Sequence, residues 1–436
     1  MPSLLFCSYH FLLEPGSGAA RSTRDLLVLL GRRGWQCQAL CGPCLDRDFG
    51  KPLGPILATS QLTAHVRQCQ WAGHRFGVLH VGGLPYPVLA YEPSGHHMPP
   101  ARHEGEPFLG LLERCLQRSR PDVVLTYGGT WLGRQTAQIA RQHHRPVVFA
   151  IHNFSYSMPD LFAGVDAVLT PSQFTSQYYR NALGISSTAI PCPLDWEALR
   201  CPSIEPRYVS FVNPSPNKGV FWFARIAHEV NRIRPDIPFL VVDGRGSTDW
   251  LSRSGLDLRQ VRRMATTSDM RECYRQTRVV LMPSLWNETF GRIAAEAMIN
   301  GIPVLASRRG ALSETLAQAG LLFDIPARYT PDSLAVPSDK EVQPWVQAII
   351  RLFGDSDYYE SEHHKALEAA QAWQEQIIAQ RHEDFLMQAM ASARIRQQST
   401  QPAPAPPVVQ PQVRFVSVTD PRPPASVLDA MLSPPI

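Results

Sequence analysis

Short apolar runs alternate along the chain with longer stretches whose apolar residues recur at helical spacing, the pattern of a parallel sheet with crossover helices. Leu4–Ser8 predicts a first strand, Gly16-Ser17-Gly18 leads into a helix ending near Arg33, and Gln36–Cys41 predicts a second strand. From about Leu53 to Pro107 the pattern weakens; Arg75–Val81 and Pro85–Tyr91 read as a hairpin in an irregular insertion. Order resumes with the helix Phe108–Gln117, the strand Val123–Tyr127, the helix Leu132–Gln142 and the strand Val147–Ile151. Ala167–Thr170 and Thr188–Pro191 add two short strands.

The four prolines between Pro191 and Pro206 mark a linker, after which a second alternating set begins. It runs strand Tyr208–Val212, helix Lys218–Arg234, strand Phe239–Asp243, strand Val279–Met282, helix Arg292–Asn300 and strand Pro303–Ala306. Glu360–Met390 reads as one long helix. The expected organisation is therefore α/β, with two doubly wound Rossmann-like domains facing a cleft. The domains are 1–192, carrying the insertion 53–107, and 207–358, joined by the linker 193–206; a helical segment 359–397 and a tail 398–436 follow. That tail is rich in Pro, Val, Gln and Ser and is expected to be disordered. Within it, Gln412–Val418 and Ser426–Leu432 are candidate docking peptides for a protein partner.

Composition changes this picture little. The 436 residues are 44% hydrophobic and 18% charged, enough for sizeable cores. A net charge of +4 is too small to argue for nucleic acid, but allows peripheral contact with an anionic membrane. The start, Met1-Pro2-Ser3-Leu4, lacks a cationic region and a cleavage site, and no apolar run is long enough to span a bilayer. Nine cysteines without an export signal read as reduced thiols, so a cytoplasmic location is expected.

Three predicted helix starts carry the chemistry. Lys218-Gly219 opens the first helix of the second half directly after a strand, where the macrodipole disfavours a cation unless an anion lies between. A solvated lysine is the alternative. At Glu288-Thr289-Phe290-Gly291-Arg292, Gly291 allows backbone N–H groups to approach a ligand, and Glu296 follows eight residues after Glu288. On one helix the two carboxylates would lie about 12 Å apart and face different ways. With Glu288 in the loop, they can grip hydroxyls at opposite ends of an elongated ligand, although two surface glutamates fit the spacing equally. Gly16-Ser17-Gly18-Ala19-Ala20-Arg21 is the third start, suited to a diphosphate or the sugar beside it. As a dinucleotide fingerprint it is incomplete, because Arg21 takes the last glycine's place.

From Met282 to Leu316 the chain reads MPSLWNETFGRIAAEAMINGIPVLASRRGALSETL. The E-x-F-G step, the seven residues between two glutamates, E-A-M and G-x-P-V closely resemble the retaining glycosyltransferases of family GT4, which have the GT-B fold. The resemblance implies that Glu288 hydrogen-bonds donor-sugar hydroxyls. It implies that the backbone of Phe290 and Gly291 meets sugar and phosphate oxygens, with Arg292 among the donor-binding residues, and that Glu296 holds the ribose diol. By the same resemblance Lys218 binds the diphosphate, His152 in Ala150-Ile151-His152-Asn153 lies beside the donor sugar, and Gly16 and Gly18 form the flexible glycine loop. Glu314 matches a position often occupied by glutamate, with a structural role.

The chain departs from the family at Asn213-Pro214-Ser215-Pro216-Asn217, where an arginine usually helps clamp the diphosphate. Arg245, Arg308 and Arg309 are candidate substitutes, Arg245 first. No Asp-x-Asp motif suited to a magnesium–diphosphate bridge is evident, so the expectation is transfer without metal or cofactor. Helix N-termini and Lys218 would stabilise the leaving diphosphate, and His152 would position or polarise rather than act as a strong base. The expected partners are a nucleotide diphosphate sugar and an acceptor (glycan, lipid or small molecule) read by the insertion 53–107.

Cys37-x3-Cys41-x2-Cys44 has the spacing of a radical iron–sulfur motif, against which stands its placement in a predicted strand. His96-His97, His143-His144 and His363-His364 lack matching ligands and read as solvated; Trp222 and Trp286 read as packing residues, with lining of the donor pocket the alternative for Trp286 beside Glu288. Two other functions stay open: a nucleotide-sugar epimerase of the same fold, and a non-catalytic nucleotide-sugar-binding scaffold.

Overall fold

The computed structural model describes residues 1–14, 16–45, 64–82, 84–92, 99–244, 249–267 and 269–399. Arg245, His96, His97 and both candidate docking peptides lie outside them, as does part of the insertion 53–107.

Two sheets organise the described residues. The first contains β1 (Ser3–His10), β2 (Gln36–Cys44), β3 (Ala64–Trp71), β4 (His74–Val81), β5 (Val88–Glu92), β6 (Val123–Thr126), β7 (Val147–Ala150), β8 (Ala167–Thr170) and β9 (Thr188–Ala189). Its order is β3-β4-β5-β2-β1-β6-β7-β8-β9, parallel apart from the pairs β3/β4 and β4/β5. The second contains β10 (Tyr208–Val212), β11 (Phe239–Val242), β12 (Val261–Met264), β13 (Thr277–Met282), β14 (Val304–Ser307) and β15 (Leu321–Phe323). These are all parallel, in the order β12-β11-β10-β13-β14-β15. Both sheets are doubly wound, and the order reverses between β1 and β6 in one and between β10 and β13 in the other. Such reversals leave a crevice at the carboxyl ends of the strands.

The longer helices are α1 (Gly18–Arg32), α2 (Arg102–Ser119), α3 (Trp131–Gln142), α4 (Gln173–Leu183), α5 (Val220–Ile233), α6 (Arg292–Ile299), α7 (Asp339–Gly354), α8 (Ser356–Ala370) and α9 (Glu375–Ser399). Most bury an apolar face in a core, against a sheet or against a neighbouring helix. On α5, Trp222, Phe223, Ile226, Ala227 and Val230 are fully buried against β10, β11 and α7. A large side chain buried this way contributes about 1.5–3 kcal/mol. Ser172 caps α4 by accepting the Thr175 N–H at 3.1 Å, and Gly184 ends it in the left-handed conformation.

Three expectations need correction. The described part of the segment read as an irregular insertion contains three strands: β4 and β5 do form a hairpin, β3 adds to its outer side, and β5 pairs in parallel with β2. The linker holds a helical turn, Trp196–Leu199, capped by Asp195. The helix expected over Glu360–Met390 is two helices separated by the 3-10 turn Gln371–Trp373. Trp373 inserts beside Phe290, its carbonyl accepts the Trp196 indole N–H at 2.8 Å, and the Glu375 carboxylate accepts the Trp196 backbone N–H at 2.7 Å. After this break α9 crosses back to the first sheet. There Phe385, Leu386, Ala389 and Met390 join the core under α1, and Glu383 binds Trp35 and Arg33.

Candidate functional site

Two loops at the second sheet's reversal point are tied together by backbone. After β10, the turn Pro216–Lys218 ends at Gly219 with φ +81°. A Cβ there would stand 1.9 Å from the Pro283 carbonyl oxygen, so glycine lets this turn lie against the end of β13. The Asn217 carbonyl then accepts the N–H groups of Leu285 and Trp286 at 2.9 and 3.2 Å. The loop after β13 is clamped from its other side: the Glu288 carbonyl accepts the Ala311 N–H at 2.8 Å, and a Cβ on Gly310 would sit 2.3 Å from that same oxygen.

These backbone contacts bring Lys218 and Glu288 together. The Lys218 ammonium donates to Glu288 Oε1 at 2.6 Å and lies over the Trp286 ring, 5.1 Å from its centre. Ser284 Oγ donates to the same carboxylate oxygen at 2.7 Å, and Glu288 is only 6% exposed. Gly291 adopts φ +88° as it opens α6, and a Cβ there would meet Leu312 at 2.6 Å.

Glu296, on α6, is 1% exposed and sits in an ionic network that joins the two sheets' loops and helices. Tyr274 donates its hydroxyl to Oε2 at 2.9 Å, and Arg292 Nε donates to Oε1 at 3.1 Å. Burial, reinforced by the Glu296 charge, pushes the Tyr274 hydroxyl well above its ordinary pKa, which keeps it a donor. Arg292 also binds Asp25 at 2.7 Å, Ser22 Oγ at 3.1 Å and the Pro193 carbonyl at 2.9 Å. Its guanidinium is thus spent on holding α1 against α6. Burial pushes the Asp25 carboxyl up, against the pull of Arg292. Arg21, in the first turn of α1, reaches Glu296 Oε2 at 3.9 Å.

The first sheet faces this group closely. The Thr289 hydroxyl donates to the His152 carbonyl at 3.1 Å, and the Thr289 carbonyl accepts Ser172 Oγ at 2.7 Å and Thr175 Oγ1 at 3.1 Å. His152 follows β7 with its ring edge-on to Tyr127 at 5.1 Å. Behind it lies a cavity of about 20 Å³, room for one water, bordered also by Ser22, Thr23, Cys192 and His382. Glu314 bridges the seam too: its two oxygens accept the N–H groups of Gln173 and Phe174 at 2.9 and 3.1 Å, at the positive end of α4. The glycine loop precedes α1, where Ser17 caps the Ala20 N–H at 3.2 Å and a Cβ on Gly18 would meet nothing within 4 Å.

Sequence reading missed the network partners Asp25 and Tyr274 and marked Arg21 only as a cation at the start of α1; the meeting of all three around Glu296 and Arg292 is created by tertiary contact. The other candidate arginines are engaged elsewhere: Arg308 pairs with Asp324 at 3.2 Å, and Arg309 donates to the carbonyls of Ile325, Pro326 and Tyr329. The cysteine rival fails on geometry. Cys37 and Cys41 pack into the core on one face of the first sheet and Cys44 into the core on the other, and burial pushes the first two thiols up to about 12. Among the described residues, no group of three or more His, Cys, Asp or Glu side chains is arranged to hold a metal ion. The Asp355-Ser356-Asp357 spacing serves capping, since Asp355 accepts the Tyr358 N–H at 2.9 Å.

The chain matches two family models, described as Glycosyltransferase Family 4 over residues 16–198 and Glycosyl transferases group 1 over residues 206–355. It is 36% identical over 86 residues to a D-inositol 3-phosphate glycosyltransferase of Corynebacterium urealyticum, a stretch spanning 19% of this chain and 17% of that relative. Its fold is similar to that of Anabaena HepE solved with UDP and glucose (TM-score 0.62, 17% identity, 89% of this chain and 100% of that one). It is also similar to a glycosyltransferase from Rickettsia africae (TM-score 0.63, 12% identity, 89% and 99%). Sucrose-phosphate synthase from Thermosynechococcus elongatus gives a TM-score of 0.62 at 15% identity, over 90% of this chain and 100% of that one.

Proposed function

The chain belongs to the family 4 glycosyltransferases of GT-B fold, and from that membership we propose that it moves a hexose-type sugar from a nucleoside diphosphate donor to an acceptor hydroxyl with retention of configuration. The observation that carries this reading is the Lys218–Glu288 pair at 2.6 Å, held at the reversal point of one sheet in a loop whose Thr289 bonds the His152 carbonyl of the other. The UDP and glucose held by the Anabaena protein support a donor of this class.

In this reaction the bond between C1 of the sugar and the diphosphate oxygen breaks, and the acceptor oxygen bonds C1 from the same face. The acceptor's proton passes to the departing diphosphate. Charge grows on the phosphate oxygens, where Lys218 and the backbone N–H groups of Phe290, Gly291 and Arg292 stabilise it. Glu288 grips sugar hydroxyls, Glu296 takes the ribose diol, and the His152 imidazole orients the reacting carbon. Gly16 and Gly18 allow the donor's close approach: the open space around Gly18 supports a ligand, rather than packing, as the reason for glycine there. Arg245 is a further diphosphate contact in this reading. Neither metal nor cofactor takes part.

The acceptor, a glycan, lipid or small molecule, is read by the region 53–107. The nine cysteines, none of them joined in a disulfide, support a cytoplasmic location. Among the described residues no helix is long and apolar enough to cross a membrane. Contact with a membrane would then be peripheral, and the tail is the candidate dock for a protein partner.

The test is a panel of nucleotide sugars incubated with the full chain and candidate acceptors. Transfer with the product anomer matching the donor supports the reading. Epimerised donor without transfer, or binding with neither transfer nor hydrolysis, refutes it.

A further inference from the structure

The cations around the site differ in what already holds them. Lys218 is paired with Glu288, and Arg292 is divided among Asp25, Glu296, Ser22 and Pro193. Arg308 and Arg309 serve Asp324 and three backbone carbonyls. Arg24 lies one turn further into α1 and is more deeply buried, which lowers its pKa even beside Asp25. Arg21 is different. It stands in the first turn of α1, three residues after Gly18, its side chain is 22% exposed, and its guanidinium meets Glu296 at 3.9 Å, too long for a hydrogen bond.

A charge count shows why this matters. Lys218, Arg21, Arg24 and Arg292 carry four positive charges, and Glu288, Glu296 and Asp25 carry three negative ones. A diphosphate brings about two more negative charges, more than that single surplus can balance. Binding therefore requires cations to change partners. Arg292 cannot turn away without stripping Asp25 and Glu296 of the guanidinium that both of them accept from. Arg21 can turn at little cost, because Glu296 keeps Arg292 and Tyr274 when it leaves.

Resting on the donor reading above, we propose that Arg21 is the second diphosphate-binding cation, supplied to the Lys218 side of the site by the opposite domain. As the ribose takes Glu296, Arg21 leaves that carboxylate and turns to the phosphates. The contact then forms only when α1 and the Lys218 loop flank one nucleotide.

The experiment titrates the full chain with UDP, GDP, ADP, CDP and dTDP, and with the matching monophosphates, by calorimetry at fixed ionic strength. Arg21→Ala is expected to weaken the preferred diphosphate about 10- to 100-fold, the value of a charge-assisted hydrogen bond, and the matching monophosphate less than about 3-fold. Arg21→Lys is expected to recover most of the loss. Because the two ligands are compared on one protein, a general loss of fold would weaken both equally and is not mistaken for the expected result. Equal losses for di- and monophosphate, or no loss at all, overturn the assignment of Arg21 alone. Failure of the wild-type chain to bind any of these diphosphates overturns the donor reading and this inference with it.

Discussion

Lys218 Nζ and Glu288 Oε1 lie 2.6 Å apart although they belong to loops that follow different strands, β10 and β13. The pair places the site's cation against its own carboxylate, so in the proposed reading a donor separates them, the phosphates taking the ammonium and the sugar hydroxyls the carboxylate. Lys218→Ala is expected to reduce donor affinity about 10- to 100-fold. Glu288→Gln keeps the shape and an acceptor for Ser284, and is expected to lower kcat/KM by a similar factor while leaving the melting temperature nearly unchanged. Steady-state kinetics and thermal melts of both variants check this.

Two glycines separate folding from binding. At Gly219 the left-handed backbone and the approach to Pro283 both exclude a side chain, so Gly219→Ala is expected to cost more than about 2 kcal/mol in urea unfolding. At Gly18 a methyl group meets nothing, so Gly18→Ala is expected to leave stability equal or slightly raised while increasing the donor KM. A matching stability loss at Gly18 would show that its glycine serves the fold.

The ionic network around Glu296 is expected to be a major prop of the seam between α1 and α6. Arg292→Ala strands the Asp25 and Glu296 carboxylates, both mostly buried, and is expected to cost about 3–5 kcal/mol by chemical denaturation. Arg292→Ala combined with Asp25→Asn should recover part of that loss, since one of the two stranded charges is gone.

His382 gives the stability a pH dependence. Burial pushes it from 6.5 down to about 4, and its Nδ1 lies 2.9 Å from the Ile378 carbonyl. Below pH 6.5 the unfolded chain takes up a proton that the folded chain refuses until about pH 4. Stability is therefore lost as pH falls through that window, by up to about 3 kcal/mol. Denaturation curves at pH 7 and pH 4.5 should show a smaller difference in His382→Gln than in the wild type.

Both halves of the fold were legible because their strands are short apolar runs and their helices have clean periodicity. Lys218 and Glu288 stood out because each follows a strand end and is accompanied by a glycine whose position now has a steric reason. The strand β3 was not legible: Ala64–Trp71 reads AHVRQCQW, too polar to stand out until β4 is beside it. The break at Gln371–Trp373 was hidden because its residues are good helix formers. The turn is imposed by Trp373 entering the core beside Phe290 and by Glu375 binding Trp196. Arg292 was counted as a donor-binding residue from its place after Gly291, whereas its charge is engaged by Asp25, 267 positions earlier in the chain. No local pattern carries such a contact.

A nucleoside diphosphate sugar lodged between the Lys218 loop and Glu296 is what every role assigned above presupposes. Thermal melts of the wild type and of a Lys218→Ala/Glu288→Gln variant, each against a panel of nucleotide sugars, address it most directly. At least one of these compounds should raise the wild-type melting temperature by several degrees and leave the variant's unmoved. If none stabilises the wild type, or if the variant responds as strongly, the account is contradicted.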